Sequence, residues 1–372
     1  MMKNKVIRVL FGFIFFGGCF AFGIFIGSWL SDSNRGIFAL LELLIALFVG
    51  YNATVIIHES GHLVFGLLSG YHFSSFRIWS FMFVRQDGKI RLCRQKISGT
   101  GGQCLLTPPD GDDMNAPVIM YNLGGCIFNL ILSVVCFLLF IYLGNLPVLS
   151  VTLLFTAIIS TVTLITNGLP IIIGGMPNDG LNAFVLAKDK ASKTAFFNQL
   201  RVADAQVRGI RLSDMPDEWF FVPGDVPTKN LFYSTIKVFA CNRTLDTLDT
   251  VKCEAEIEAL LNSNWLIIGL HRALLTIDLI YCRLVNHGRG NDYRALVTQD
   301  VKNIMKSMKN NPAILRTEYA AELLYDGNKA AADKKLCEFD AALKTHPYPG
   351  DSELERQLVN LALESYSSNL ER

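Results

Sequence analysis

Long apolar stretches dominate the first half of the chain. A helix that crosses a membrane needs about 20 apolar residues, because the hydrocarbon core holds no water to satisfy an open backbone. Four stretches are long enough, and the last two come from residues 114–178, which contain no Asp, Glu, Lys or Arg. The predicted helices cover about 6–30, 36–70, 117–143 and 148–172. The pattern predicts a polytopic α-helical membrane protein with four transmembrane helices.

In the loop between the second and third predicted helices, apolar and polar side chains alternate with a period of two residues. Residues 73–84 and 90–97 alternate aromatic or β-branched side chains with polar ones. The Gln-Asp-Gly-Lys sequence at 86–89 is typical of a hairpin turn. We therefore expect a small membrane-associated β element within residues 71–113.

From about residue 191 onward, apolar residues recur three and four positions apart, as in amphipathic helices. Residues 313–343 fit a helix pair around a turn at 326–328, and a unit of about 34 residues with this layout resembles a tetratricopeptide-type repeat. The charges agree with a soluble part, since residues 1–190 hold only 12 of the 34 Lys and Arg. The predicted regions are a first helix with an outer turn (1–35), a membrane core (36–190), a linker (191–230) and a C-terminal cytosolic α-helical domain (231–372).

The composition excludes several classes of protein. With 51% hydrophobic and 18% charged residues among 372, and a mean hydropathy of +0.33, the chain is neither disordered nor collagen-like. A net charge of +1 gives no electrostatic footprint for nucleic acid. The nine cysteines include no CxxC pair, so we expect reduced thiols and no cysteine-based zinc site.

The distribution of basic residues predicts the orientation, because cytoplasmic loops carry an excess of Lys and Arg. The N-terminal segment carries Lys3, Lys5 and Arg8, and the loop over 71–113 carries six more basic residues. Both outer connections are nearly free of them. We expect a multi-pass protein of the cell membrane, in a bacterial plasma membrane, with both termini in the cytoplasm.

His58, Glu59 and His62 form an HExxH motif inside the second predicted helix. Histidines four residues apart lie on one helix face about one turn apart, which suits two ligands of a tetrahedral zinc. Glu59 lies beside them, where a carboxylate can accept a proton from a zinc-activated water. The alternative is a structural polar pair, in which Glu59 and a histidine satisfy each other between helices.

A catalytic zinc normally has three protein ligands, so the motif needs a partner. Asp179 is the candidate, because it follows the uncharged stretch directly and stands between Pro177 and Gly180, where the backbone can turn a carboxylate back toward the helices. The competing interpretation is that Asp179 caps the N-terminus of a helix over 180–186. One carboxylate cannot easily cap a helix and bind a metal.

These motifs resemble those of the site-2 proteases, a family of zinc intramembrane metalloproteases. The resemblance covers about residues 36–190. Its motifs are His-Glu-Ser-Gly-His at 58–62, Leu-Gly-Gly-Cys-Ile-Phe-Asn at 123–129, and Asn-Gly-Leu-Pro at 167–170 leading to Asn-Asp-Gly at 178–180. It implies zinc-dependent endopeptidase activity on transmembrane or signal-peptide-like substrates.

The resemblance also implies functional residues. His58, His62 and Asp179 become the zinc ligands, and Glu59 becomes the group that activates water. The substrate-binding residues are Asn129, which ends the glycine-containing motif, and Gly101 and Gly102 in the β element.

Two other classes of function remain open. A catalytically silent membrane scaffold would use only its cytosolic helical domain, which would bind a partner protein. A cation transporter would use His58, His62 and Asp179, but Glu59 adds nothing to transport. If the protein is a protease, we expect it to interact with the lipid bilayer, with a membrane protein or peptide substrate, and with a protein partner of its C-terminal domain. We expect no interaction with nucleic acid.

Overall fold

The computed structural model of the protein describes residues 27, 37–97, 100–109, 117–143, 147–173, 176–290 and 292–370. These residues are mostly helical and include a small antiparallel sheet. The helices are α1 (Ile37–Leu68), α2 (Val118–Tyr142), α3 (Pro147–Gly168), α4 (Asp179–Leu186), α5 (Lys190–Val207), α6 (Leu231–Asp246), α7 (Thr250–Leu261), α8 (Gly269–His287), α9 (Gln299–Ser307), α10 (Pro312–Ala320), α11 (Lys329–Leu343) and α12 (Pro349–Leu370). The strands are β1 (His72–Ile78), β2 (Phe81–Gln86), β3 (Lys89–Arg94), β4 (Gly102–Thr107), β5 (Ile172–Ile173) and β6 (Met176–Pro177).

Three of the described helices are long and apolar enough to cross a membrane. They correspond to the second, third and fourth predicted spans and cover Phe38–Leu68, Val118–Tyr142 and Val148–Gly168. The last helix ends before the predicted residue 172, because Pro170 has no backbone N–H and disfavours helical geometry at the residue before it. The first predicted span, over 6–30, lies outside the described residues except for Gly27.

The β element is a four-stranded antiparallel sheet in the order β3-β2-β1-β4. The turn at Asp87 and Gly88 has positive φ at both positions (51° and 71°), which matches the twist of a two-residue hairpin. The prediction of a small β element is confirmed, and its alternating segment 73–84 forms two strands, because a turn at Trp79 and Ser80 divides it into β1 and β2. The edge strand β4 was not predicted, because its flanking turn residues obscure a short alternation.

The described chain divides into two units. The first contains the described residues up to Thr54 together with Leu130–Val162, and in it Leu43 and Ala46 form a buried cluster with Val151 and Phe155. The second contains Val55–Asn129 and Thr163–Arg372. Every residue that the sequence assigned to a functional site belongs to the second unit.

Within this second unit, α5 packs on the sheet. Leu106 of β4 and Phe197 of α5 are fully buried in one hydrophobic cluster, and Val207 at the end of α5 packs on Met82 and Val84 of β2. The segment 191–230, interpreted from the sequence as a linker, thus contains most of α5, followed by the 3₁₀ turns Leu212–Asp214 and Asp217–Trp219.

The predicted helix pair over 313–343 is present as α10 and α11. A π-helical segment (Ala321–Asp326) continues α10, and Gly327 after it has the left-handed conformation (φ 67°). The Asn328 side chain caps α11 by accepting a hydrogen bond from the backbone N–H of Ala331. A relation of this pair to tetratricopeptide repeats stays a prediction.

Arg316 of α10 is fully buried in the helical domain. Its guanidinium pairs with Asp278 at 2.6 Å and with Glu355 at 3.4 Å, and it lies over the ring of Tyr281. Burial raises the pKa of Glu355 to about 7, with Arg316 opposing the shift and Asp278 adding to it. Glu355 therefore ionises less readily in the folded chain than in the unfolded one.

We expect Glu355 to make the domain less stable as the pH rises. The folded state holds the extra proton between the ordinary pKa of 4.5 and the folded value of about 7, so stability is greatest below this window and falls through it. In wild type the free energy of unfolding should decrease between low and neutral pH, and Glu355→Gln should make this decrease smaller by about 1–3 kcal/mol. Thermal unfolding of the full chain in detergent at low and neutral pH measures the difference. Glu353→Gln, an exposed site on the same helix, should keep the wild-type dependence, and an unchanged dependence in Glu355→Gln contradicts the assignment.

Candidate metal centre

Helix α1 brings the two histidines and the glutamate of the motif into one buried position. His58 and His62 are four residues apart, and their Nε2 atoms lie 3.2 Å from each other. His58, Glu59 and His62 are each at most 9% exposed. His58 lies ten residues before the end of α1, or about 15 Å along the axis, so the motif lies well inside the apolar helix.

Glycines on α2 make room for the imidazoles. A side chain at Gly61 would overlap the backbone of Gly124, so α1 and α2 approach closely at that level. A Cβ at Gly125 would lie 2.6–2.7 Å from atoms of both histidine rings. The glycine pair of the 123–129 motif therefore admits the neighbouring helix and leaves space for the rings.

The backbone of α2 fixes the protonation of His62. Its Nδ1 lies 2.8 Å from the carbonyl oxygen of Tyr121, and a carbonyl can only accept a hydrogen bond. Nδ1 must therefore carry the proton. In a neutral imidazole, Nε2 then has a lone pair available for a metal.

His58 has an equivalent partner in the side chain of Asn129, which is fully buried. The amide nitrogen Nδ2 lies 2.9 Å from Nδ1 of His58. A half-turn of the amide presents Oδ1 instead, which accepts from Nδ1–H and leaves the Nε2 lone pair free. The contact places Asn129 against a predicted ligand and gives it an orienting role in addition to the predicted substrate contact.

Asn178, not Asp179, caps helix α4. The Asn178 side chain accepts from the backbone N–H of Leu181, and Asp179 is the first residue of the helix. The amide of Asn178 also donates to the carbonyls of Thr166 (2.6 Å) and Leu169 (2.5 Å) at the end of α3. Because Asn178 takes the capping role, the carboxylate of Asp179 is not needed as a cap and could bind a metal ion.

A short hairpin returns the chain to this position. Strands β5 and β6 pair Ile172 with Pro177, and the backbone N–H of Asn178 donates to the carbonyl of Ile171. Gly180 rests on the backbone of Gly168, where a Cβ would overlap the carbonyl group. The end of α3 and the start of α4 are thus held together around Asp179.

The carboxylate of Asp179 meets both imidazoles. Its Oδ2 lies 3.1 Å from Nε2 of His58 and 3.4 Å from Nε2 of His62. Ligand atoms about 2.05 Å from a tetrahedral zinc are about 3.3 Å apart, and the three observed separations are close to that value. His58, His62 and Asp179 are the metal-type ligand cluster found in the described part of the chain.

The donor chemistry fits a cation. Oδ2 of Asp179 is buried beside the Nε2 atoms of the two imidazoles. Although burial opposes ionisation of Asp179, the adjacent His62 and His58 hold its pKa below the usual range. A proton on one imidazole can satisfy one of the three contacts, whereas a metal ion at their centre satisfies all three.

Glu59 lies on the side of the cluster that faces the sheet. A Cβ at Gly102 would lie 2.5 Å from Cγ and 2.6 Å from Oε1 of Glu59, so the start of β4 covers the carboxylate directly. The neighbouring Gly101 accepts through its carbonyl from the backbone N–H of Trp79. The predicted glycines are therefore beside the proposed base, Gly102 in direct contact and Gly101 one residue away.

The chain matches no family model, no curated protein and no solved structure.

Sequence reasoning missed three contributors to the site. Asn178 carries a readable signal, since Asn before an acidic residue and a helix is typical of an N-cap. The carbonyl of Tyr121 carries none, because any residue supplies a backbone oxygen. Arg77 was counted only as one of several basic loop residues, although it is 1% exposed.

We expect loss of the Asn129 amide to weaken metal binding. Replacing a group that orients a histidine ligand typically costs about 10–100-fold in metal affinity. Asn129→Ala should raise the Kd for Zn²⁺ by that factor, measured by competition with a chromogenic chelator in detergent. Asn122→Ala is the control, because Asn122 is buried on the same helix but donates within it to Val118. Equal Kd values for the two variants would refute the orienting role.

A second prediction separates the cap from the site. Asn178→Ala should weaken Zn²⁺ binding by about 10-fold or more, because it releases the segment that holds Asp179. Asn230 caps α6 in the same way, by accepting from Phe232 and Tyr233, and Asn230→Ala should cost a similar amount of helix stability, about 1 kcal/mol, without changing the affinity. Chelator competition and thermal unfolding of both variants make the comparison, and identical affinities would count against it.

Proposed function

We propose that the protein is a zinc-dependent intramembrane endopeptidase of the site-2 protease type. The proposal is supported above all by one observation: Nε2 of His58, Nε2 of His62 and Oδ2 of Asp179 converge at 3.1–3.4 Å. Three lone-pair donors at that spacing repel each other unless protons or a metal ion lie between them. Two imidazoles and one carboxylate are a ligand set typical of catalytic zinc, which keeps a further position open.

A bound zinc ion supplies a Lewis acid that polarises a carbonyl and acidifies a coordinated water. Glu59 follows His58 directly and interacts electrostatically with all three ligands. Its carboxylate takes a proton from the water that adds to the carbonyl carbon of the substrate. When the C–N bond breaks, the same carboxylate returns that proton to the leaving amine, so one water is consumed for each bond hydrolysed.

The surroundings of the ligands suit a substrate that is itself in the membrane. The motif lies in a helix that is apolar and long enough to span the bilayer. The side chain of Asp179 is 21% exposed, against about 10% for the histidines, so the centre is open on the side of Asp179. Asn129, Gly101 and Gly102 would contact the peptide backbone, which has to be unwound at the bond that is cut.

The resemblance to site-2 proteases adds the substrate class, a transmembrane or signal-peptide-like segment. In this proposal the protein is a multi-pass protein of the cell membrane with cytoplasmic termini and a further spanning helix over 6–30. Three apolar helices and the basic loop over 71–113 support that topology.

The first test needs no knowledge of the natural substrate. We expect about one zinc per chain in detergent-purified wild type and in Glu59→Gln, and much less in Asp179→Ala, measured by elemental analysis after purification without chelators. A purified protein without zinc in all three forms would overturn the proposal and favour the scaffold.

The second test measures cleavage. The probe is a model transmembrane peptide with a Leu-Ala core, a central Asn-Gly pair that loosens the helix, and a fluorophore and quencher at its ends. We expect wild type to cleave it, Glu59→Gln to lose about 10²–10⁴-fold in rate, and a chelator to abolish cleavage until zinc is restored. Zinc transport into vesicles that survives Glu59→Gln, without cleavage, would instead support a transporter.

A further inference from the structure

Arg77 is a buried cation outside the metal centre. It belongs to β1 and is 1% exposed, whereas Arg85 on the neighbouring strand is exposed. Arginine stays protonated in proteins, so its charge is carried into the interior. Among the described residues it forms no ion pair within 4.0 Å, and its Nε has no hydrogen-bond partner. A buried charge without an ion-pair partner lowers the stability of the folded state, which indicates that Arg77 has a role other than stabilisation.

The guanidinium joins three points of the adjacent backbone. Nη1 donates to the carbonyl of Trp79 at 2.7 Å, and Nη2 donates to Oγ1 of Thr100 at 2.5 Å and to the carbonyl of Gly102 at 3.2 Å. Trp79 has a positive φ of 57°, which a bulky residue adopts only when its surroundings hold it there. Arg77 therefore ties the β1–β2 turn to the segment that opens the edge strand β4.

That segment is the one that covers Glu59. Gly102 is in van der Waals contact with the Glu59 side chain, where no Cβ fits. Arg77 and Glu59 also interact electrostatically, and burial lowers the pKa of Arg77 while Glu59 opposes the shift. Gly102 therefore contacts the guanidinium through its carbonyl oxygen and the Glu59 side chain through its α-carbon.

We propose that Arg77 is a positioning residue, which fixes Thr100 and Gly102 against Glu59 and thereby sets the direction of that carboxylate. The effect on turnover rests on the proposed function. The hydrogen bonds of Arg77 to Trp79, Thr100 and Gly102, here called the clamp, are a property of the fold. Removing the guanidinium releases Gly102. The Glu59 side chain then no longer packs against Gly102 and adopts orientations in which its carboxylate does not reach the water. The ligands of the metal are untouched.

The test compares Arg77→Met, Arg77→Lys and the control Arg85→Met in the full chain in detergent with zinc. Hydrogen exchange of the backbone amides over 100–107 measures the clamp, and elemental analysis measures the metal. We expect Arg77→Met to speed exchange over 100–103 by about 10-fold or more while zinc stays at the wild-type level. Arg77→Lys should restore part of the protection, and Arg85→Met should match wild type.

Turnover of the model transmembrane peptide distinguishes positioning from a merely structural role. Arg77→Met should lower kcat by about 10–100-fold, a larger change than any rise in KM, because the base is misplaced whereas Asn129, another proposed substrate contact, stays in place. Gly102→Ala disturbs the same contact, so the double variant Arg77→Met with Gly102→Ala should be no slower than the worse single variant.

The outcomes separate the two proposals. If wild type cleaves nothing, the endopeptidase proposal fails, and the exchange data alone decide on the clamp. Wild-type exchange over 100–103 in Arg77→Met overturns the inference. So does loss of zinc in that variant, or a rise in KM that matches the fall in kcat/KM.

Discussion

The structure depends on the convergence of three electron-pair donors, two from the apolar helix α1 and one from the start of α4. Two imidazole nitrogens and one carboxylate oxygen lie 3.1–3.4 Å apart where few water molecules can screen them. Two local features supply these donors: the period of α1 places His58 and His62, and the capped start of α4 places Asp179. The other features of the site follow from holding these atoms together without a covalent link.

The supporting contacts come mainly from backbone atoms and from amide side chains. The carbonyl of Tyr121 sets the tautomer of His62, Asn129 contacts His58, and Asn178 ties the start of α4 to the end of α3. These groups are uncharged, so they orient the ligands without competing with them for a cation. A charged group in any of these places would change the total charge of the centre and hence the metal it favours.

The sequence predicted the elements whose pattern is local. The spans that became α1, α2 and α3 follow from length and hydropathy, and the approach of His58 to His62 follows from the helical period. The position of Asp179 required a hairpin of two-residue strands, which is too short to have a pattern. The division of 73–84 at Trp79 was also hidden, because nothing local marks a tryptophan with positive φ. Arg77 and Asn178 act through tertiary contacts that spacing does not encode.

The two buried charged clusters of this chain show why one is interpreted as structural and the other as a metal site. In the helical domain, Arg316 brings a positive charge to Asp278 and Glu355, so the protein itself supplies both signs of charge in that cluster. Around His58, His62 and Asp179, two imidazoles face one carboxylate, and the side chain of Glu59 brings a second carboxyl group close to them. Arg77 is directed at backbone carbonyls and a hydroxyl, so it does not occupy the space between the ligands. A divalent cation between the three ligand atoms would supply a positive charge that no Lys or Arg among the described residues supplies there, which is the physical reason for proposing metal chemistry at this position.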